Sequence, residues 1–175
     1  MKTKKMLSIL AVGAVALSLF AVSTGSQTTS MTPFQQLKSL AGKWQATEKS
    51  DSHAGTVVDS TIRIVSNGTA IEEIFQSGEA QQMVTLYSPD GDRLAMIHLC
   101  SIGNQPRMET SALTAGAMKF DFSFTGATNL ASPNDPHMDH MTMTIIDKDH
   151  FDETWILRAG GQEQEHAVFH FVRKA

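Results

Sequence analysis

From residue 44 onward, apolar and polar positions alternate with a period of two in segment after segment. Met118, Phe120, Phe122 and Phe124 alternate with Lys119, Asp121 and Ser123. That spacing puts the apolar side chains on one face of an extended strand. The same period sets Val58, Ile62 and Ile64 against Asp59, Thr61 and Arg63. It sets Met141, Met143 and Ile145 against Thr142 and Thr144, and Trp155 and Leu157 against Thr154 and Ile156. Segments 93–100 and 166–173 are apolar on both faces, so the pattern assigns them no inward side. Turn signals recur every 10–13 residues, among them Ser52-His53-Ala54-Gly55, Asn67-Gly68, Ser77-Gly78, Pro89-Asp90-Gly91, Gly103-Asn104 and Gly160-Gly161. Asn-Gly is a favoured two-residue hairpin turn, and Pro-Asp-Gly a type I turn opening a bulge. Nine such turns separate ten candidate strands, and only the Gly126–Pro136 connection is long. The pattern predicts an all-β, ten-stranded antiparallel up-and-down barrel, because so long a meander otherwise leaves two unprotected edges.

One stretch keeps a helical period. In Pro33–Ala41 the apolar residues Phe34, Leu37, Leu40 and Ala41 share a face, Thr32 is a good N-cap and Gly42 a stop. So short a helix needs a surface to pack on, and a barrel end supplies one. Before it, Lys2, Lys4 and Lys5 precede an uncharged apolar run from Met6 to Val22, and Ala21-Val22-Ser23 has the small–x–small form of a signal-peptidase site. Residues 1–23 are expected to be a signal peptide, 24–32 a disordered leader and 33–175 the barrel domain. No cysteine near the site would allow a lipid anchor.

Removing the three lysines takes the formal net charge from −4 to −7. An acidic exported chain disfavours nucleic acid and anionic lipid as partners. Cys100 is the single cysteine, which excludes an intrachain disulfide and suits a small buried hydrophobe. The expected location is periplasmic or secreted, with no stable membrane anchor after cleavage.

Chemistry-bearing residues are few. His98 and Cys100 stand two apart on one strand and share a face, while His137 and His140 stand an odd number apart. Imidazole and thiolate suit zinc or copper, but the spacing matches no metal motif. His166 and His170 share a face with Val168 and Val172 on the last strand, where a barrel could hold haem iron. Gln105 and Arg107 share a face in the Gly103–Met108 hexapeptide and could meet a carboxylate. The many methionines suit an irregular core or an adaptable apolar cavity. No nucleophile elbow, zinc-protease motif or phosphate loop is present. Glu72-Glu73 and Asp147, Asp149 and Asp152 read as solvated carboxylates.

Leu37–Trp44 (LKSLAGKW) resembles the opening of many small bacterial lipocalin-like domains, and His98–Met108 resembles a block in uncharacterised exported proteins of that kind. The resemblance runs from Pro33 to Ala175. The broader calycin group is similar in its Gly-x-Trp and terminal Arg, and includes lipocalins and fatty-acid-binding proteins that hold apolar molecules. The resemblance implies that Trp44 plugs one barrel end with Arg173 across its indole face. Nitrobindin-like haem barrels are also similar in shape, but this chain has Gln45-Ala46-Thr47-Glu48 where they have a glycine-rich run.

The expected function is non-catalytic binding of a small apolar or amphipathic molecule, with no cofactor. The expected ligand-binding residues are His98, Cys100, Gln105, Arg107, Phe120, Phe122, Met141, Met143 and Trp155. A haem or metal carrier, a filled barrel serving protein interaction, and a barrel enzyme using His98 and Arg107 stand as alternatives.

Overall fold

The computed structural model describes residues 30–50, 54–77 and 81–175. The signal peptide expected at 1–23 and residues 24–29 of the leader lie outside the described residues, as do Ser52, His53 and Gly78 of the predicted turns. A helix, α1 (Pro33–Lys38), leads into ten strands. These are β1 (Gly42–Thr47), β2 (Val57–Val65), β3 (Ala70–Ser77), β4 (Gln81–Asp90) and β5 (Arg93–Leu99). They continue with β6 (Gln105–Thr110), β7 (Lys119–Thr128), β8 (His137–Ile145), β9 (His150–Ala159) and β10 (Gln162–Arg173). Each strand pairs antiparallel with its sequence neighbours and β1 pairs with β10, closing the barrel.

Among the described residues the turns fall close to where the sequence puts them, with two shifts: β7 runs through Gly126 to Thr128, so the long connection begins three residues later than expected, and one hairpin moves by a step. Asn67 and Gly68 take φ of 53° and 86° in the tight turn between β2 and β3. Pro89 stays in β4 opposite Leu94, so the next reversal falls on Gly91 and Asp92, one step later than expected. Pairing also orients the two segments that are apolar on both faces. Leu94, Met96 and His98 of β5 point inward, as do Phe169 and Phe171 of β10, while Ile97, Val168, His170 and Val172 face outward. In β8 a bulge between Met138 and His140 shifts the register by one. Met138 opposite Leu157 and Met141 opposite Trp155 can therefore share the inner face despite their odd spacing.

The helix plugs one end. Thr32 and Gln35 form a reciprocal capping box, and Leu37 and Leu40 bury themselves in the core. Met31 is also tied to the fold, its carbonyl accepting from Gly116 N–H at 2.8 Å. The Trp44 indole, fully buried, donates to the Leu40 carbonyl at 2.8 Å. Across the β1–β10 seam, the Arg173 guanidinium lies 4.0 Å from the Trp44 ring centroid. It also donates to the carbonyls of Ala41 at 2.9 Å, Ser39 at 3.2 Å and Lys148 at 2.8 Å. Gly42 is the residue that lets it in. Its φ is 149°, and a Cβ there would stand 2.4 Å from Arg173 Nη1.

Trp44→Ala should destabilise the fold by about 3–5 kcal/mol, as loss of a buried aromatic does, and Arg173→Ala by less. Gly42→Ala should lower the urea midpoint too, and adding Arg173→Ala should cost it less than Arg173→Ala costs the wild type, because the clash is then gone. Equilibrium urea unfolding of the four variants checks this. Simple additivity of Gly42→Ala and Arg173→Ala would show that the two do not share one seat.

Candidate functional site

The strands place a layer of polar side chains halfway along an otherwise apolar lumen. Ser60 on β2, Glu73 on β3, Thr85 on β4, His98 on β5 and Glu153 on β9 are all buried. Each sits between inward apolar residues two positions away: Ile71 and Phe75 flank Glu73, and Phe151 and Trp155 flank Glu153. Glu73, Thr85 and His98 are direct cross-strand neighbours, and Glu153 enters from the far wall.

Hydrogen bonds converge on the carboxyls of this layer. Ser60 Oγ donates to Glu73 Oε1 at 2.6 Å, and Tyr87 Oη donates to Glu73 Oε2 at 2.8 Å. Thr85 Oγ1 lies 2.9 Å from His98 Nδ1. With its proton on Nδ1, His98 donates to Thr85 and presents a lone pair at Nε2. Trp155 Nε1 donates to Glu153 Oε2 at 2.9 Å, and its indole rests against the His98 ring at 4.6 Å between centroids. Two buried polar atoms are left without a partner here, His98 Nε2 and Glu153 Oε1.

The electrostatics follow from burial. Burial pushes His98 down to about 4, so it is neutral at physiological pH. Burial raises Glu73, against the pull of its hydrogen bonds from Ser60 and Tyr87. Burial together with the like charge of Glu73 holds Glu153 well above the usual carboxylate range. With several donors converging on Glu73 and one on Glu153, Glu153 is the member of the pair that keeps a proton. Tyr87 is pushed well up by its burial and by both carboxyl charges.

The layer divides the lumen. On the Trp44 side, Tyr87, Met96, Met108, Phe151 and Phe171 pack together as buried core. On the other side a cavity of about 180 Å³ is walled by Phe75, Met83, Met138, Trp155, Ala167 and Phe169. Its floor is Glu73, Thr85, His98 and Glu153, and Glu48, Thr56, Gln81, Ser101 and Ile102 surround its mouth. The Glu48 carboxylate there accepts from Ser50 Oγ at 2.6 Å.

Of the residues expected to bind a ligand, His98, Cys100 and Trp155 line this cavity. Phe120, Phe122, Met141 and Met143 are inward but belong to the filled core, completely buried. Arg107 is exposed on the outer face, with Pro106 and Met108 turned in on either side. Gln105 bonds Thr128 and the Gly103 carbonyl, tying two loops together. His98 inside and Arg107 outside cannot act on one molecule. His166 and His170 are likewise outward, beside Glu163 and Asp152, which closes the lumen to them as axial ligands. Cys100 is buried, and burial raises its thiol. Among the described residues no cluster of three or more His, Cys, Asp or Glu is placed to hold a metal ion.

Glu73 and Glu153 were not among the expected residues, and the expectation that Glu73 is solvated with Glu72 is overturned. Glu72 faces out and pairs with Arg63, whereas Glu73, one position on, is buried. The signal was present in the parity: a carboxylate at an inward position between two large apolar residues.

The chain is thus a closed ten-stranded antiparallel barrel with a half-open lumen. Its backbone is similar to that of a protein of unknown function from the DUF3598 family of Nostoc punctiforme, with a TM-score of 0.57 and 11% identity. The likeness covers 87% of this chain but 53% of the other, so the chain spans about half that protein's length and the two share a fold alone. No family model matches the chain, and no curated protein matches it.

The pH dependence of stability tests the polar layer. A carboxyl whose folded pKa is raised contributes stability below its unfolded pKa and loses it as pH rises through the folded value. His98, depressed to about 4, does the opposite, contributing above about 6.5 and losing stability as pH falls toward 4. Glu153→Gln keeps an oxygen for the Trp155 indole and removes the ionisation. Its stability relative to wild type, from urea unfolding at each pH, should increase from pH 5 to pH 8, since His98 contributes equally to both proteins. A difference that does not change with pH would show that Glu153 is not held protonated.

Proposed function

We propose that this protein is an exported, lipocalin-like (calycin-type) barrel that binds one small, predominantly apolar molecule in the open half of its lumen, without catalysing a reaction on it. The observation that carries this is the cavity itself. It is walled by aromatic and thioether groups, and its floor presents two buried polar atoms that have no hydrogen-bond partner among the described residues. Leaving such groups unpaired costs about 1–3 kcal/mol each, so they are tolerated where a guest supplies the partner. Apolar walls with a few convergent polar groups are the usual composition of small-molecule sites. The seating of Trp44 and Arg173 supports the calycin-type reading. The volume suits a single ring, or the end of a longer molecule whose remainder passes the mouth.

Calorimetric titration of the full chain with benzyl alcohol, benzylammonium and benzoate should show one saturable site for at least one of them. Ala167 lies opposite Trp155 on β10 and lines the cavity. Ala167→Phe should fill that space and abolish the binding without lowering the thermal midpoint. If none of the three probes binds, the cavity is not a ligand site.

Export rests on the lysine-rich start, the apolar run and Ala21-Val22-Ser23. The intact mass of protein from its native host should lack roughly the first 20–30 residues. A full-length mass recovered with membranes would overturn this part of the reading.

A further inference from the structure

The cavity holds an unusual balance of charge. Its ionisable lining groups are Glu48, Glu73, His98, Cys100 and Glu153, with Tyr87 just beneath the floor. Among the described residues no lysine or arginine lines it. Binding sites for fatty acids and other carboxylates supply a cation or several N–H donors to the anion. Here the reverse is built. Both carboxyls on the floor are buried; once ionised, Glu153 offers Oε1 as an acceptor, and His98 with its proton on Nδ1 offers the Nε2 lone pair. Trp155, Phe75 and Phe169 add aromatic surface around them, and aromatic faces attract organic cations.

Resting on the ligand-binding reading above, we propose that the molecule this barrel takes is a small primary ammonium on an apolar or aromatic body, whose –NH₃⁺ group seats on the polar floor between Glu153 and His98. Its N–H donors pair Glu153 Oε1 and His98 Nε2, and its positive charge allows Glu153 to ionise beside Glu73. The proton balance is explicit. Glu153 holds a proton before the ligand arrives, and R–NH₃⁺ needs a carboxylate, so Glu153–COOH releases one H⁺ to solvent as the ion pair forms. A carboxylate ligand meets the carboxyl floor without a cation and is rejected, while a neutral alcohol of the same shape fits the walls but brings no charge to hold a Glu153 carboxylate.

The three probes of the previous section separate these cases, titrated at pH 7.5 into the full chain. Benzylammonium should bind at least tenfold tighter than benzyl alcohol, and benzoate should bind weakest. Repeating the amine titration in two buffers of different ionisation enthalpy should show close to one proton released per ligand, and none for the alcohol. Glu153→Gln should weaken benzylammonium at least tenfold and change benzyl alcohol less than twofold, which shows that the variant is folded and its cavity intact. If that variant does not fold, the buffer comparison on the wild type decides alone. Benzyl alcohol binding as tightly as the amine, benzoate binding tightest, or amine binding without proton release would each overturn the ammonium assignment while leaving the cavity a ligand site. Binding by none of the three would overturn both.

Discussion

The β1–β10 seam is where a meander becomes a barrel, and an arginine reinforces its short ladder, which also includes Lys49 N–H to the Val168 carbonyl and Lys174 N–H to the Lys43 carbonyl. β1 meets β10 through Trp44 opposite Arg173 and Gln45 opposite Val172, with an isolated bridge from Glu48 to Phe169 beyond. β2 and β3, by contrast, pair along eight positions. The guanidinium makes up the difference by joining three separated pieces of chain. It covers the Trp44 indole, caps the Ser39 and Ala41 carbonyls at the end of the helical segment, and reaches Lys148 between β8 and β9. A planar fork with several donors and a stacking face can do this, and a lysine ammonium cannot. Closure in turn removes the free sheet edges and puts β3 and β9 on facing walls, where their inward carboxyls meet.

That meeting gives the lumen its division of labour. Burying two carboxyls is unfavourable, and the barrel manages it with neutral donors rather than a counter-charge. Ser60, Tyr87 and Trp155 point hydrogen-bond protons at the pair, and beside them Thr85 pairs with His98. Below the layer, aromatic contacts such as the stacked Phe151–Phe171 pair at 4.6 Å and the edge-on Trp44–Phe151 pair at 4.7 Å fill the space. Above it the walls stand apart.

The fold was largely legible because a period of two and a regular spacing of turns are local properties. Phe120–Phe124 and Trp155–Leu157 declared their faces, and Pro33–Lys38 its helix, whereas Met118 just before β7 and Ile64 near the end of β2 are exposed despite their apolar parity. The strands 93–99 and 162–173 did not, because their outward residues are also apolar and only pairing decides between two apolar faces. The site was legible at His98, Cys100 and Trp155, which carry distinctive chemistry. It was not legible at Glu73, because an adjacent pair of glutamates looks solvated until one asks which of the two shares parity with Ile71 and Phe75. Whether an inward residue lines open space or packed core, as separates Trp155 from Met141, depends on its height along the barrel axis. Height is set by the stagger of all ten strands together, and no single segment encodes it.

The polar layer also separates the demands that selection places on the two ends of the molecule. Trp44, Phe120, Phe151 and Phe171 lie in the filled half, where a change of volume is a change of stability. Met83, Met138, Leu157 and Ala167 line the open half, where a changed side chain alters the shape of the space without tearing a packed core. Sequences derived from this one can therefore drift at the rim while the plug stays fixed. A lineage of such barrels would diversify its guests from the mouth inward, and the Glu73–Glu153 floor would be the last part of the site to change.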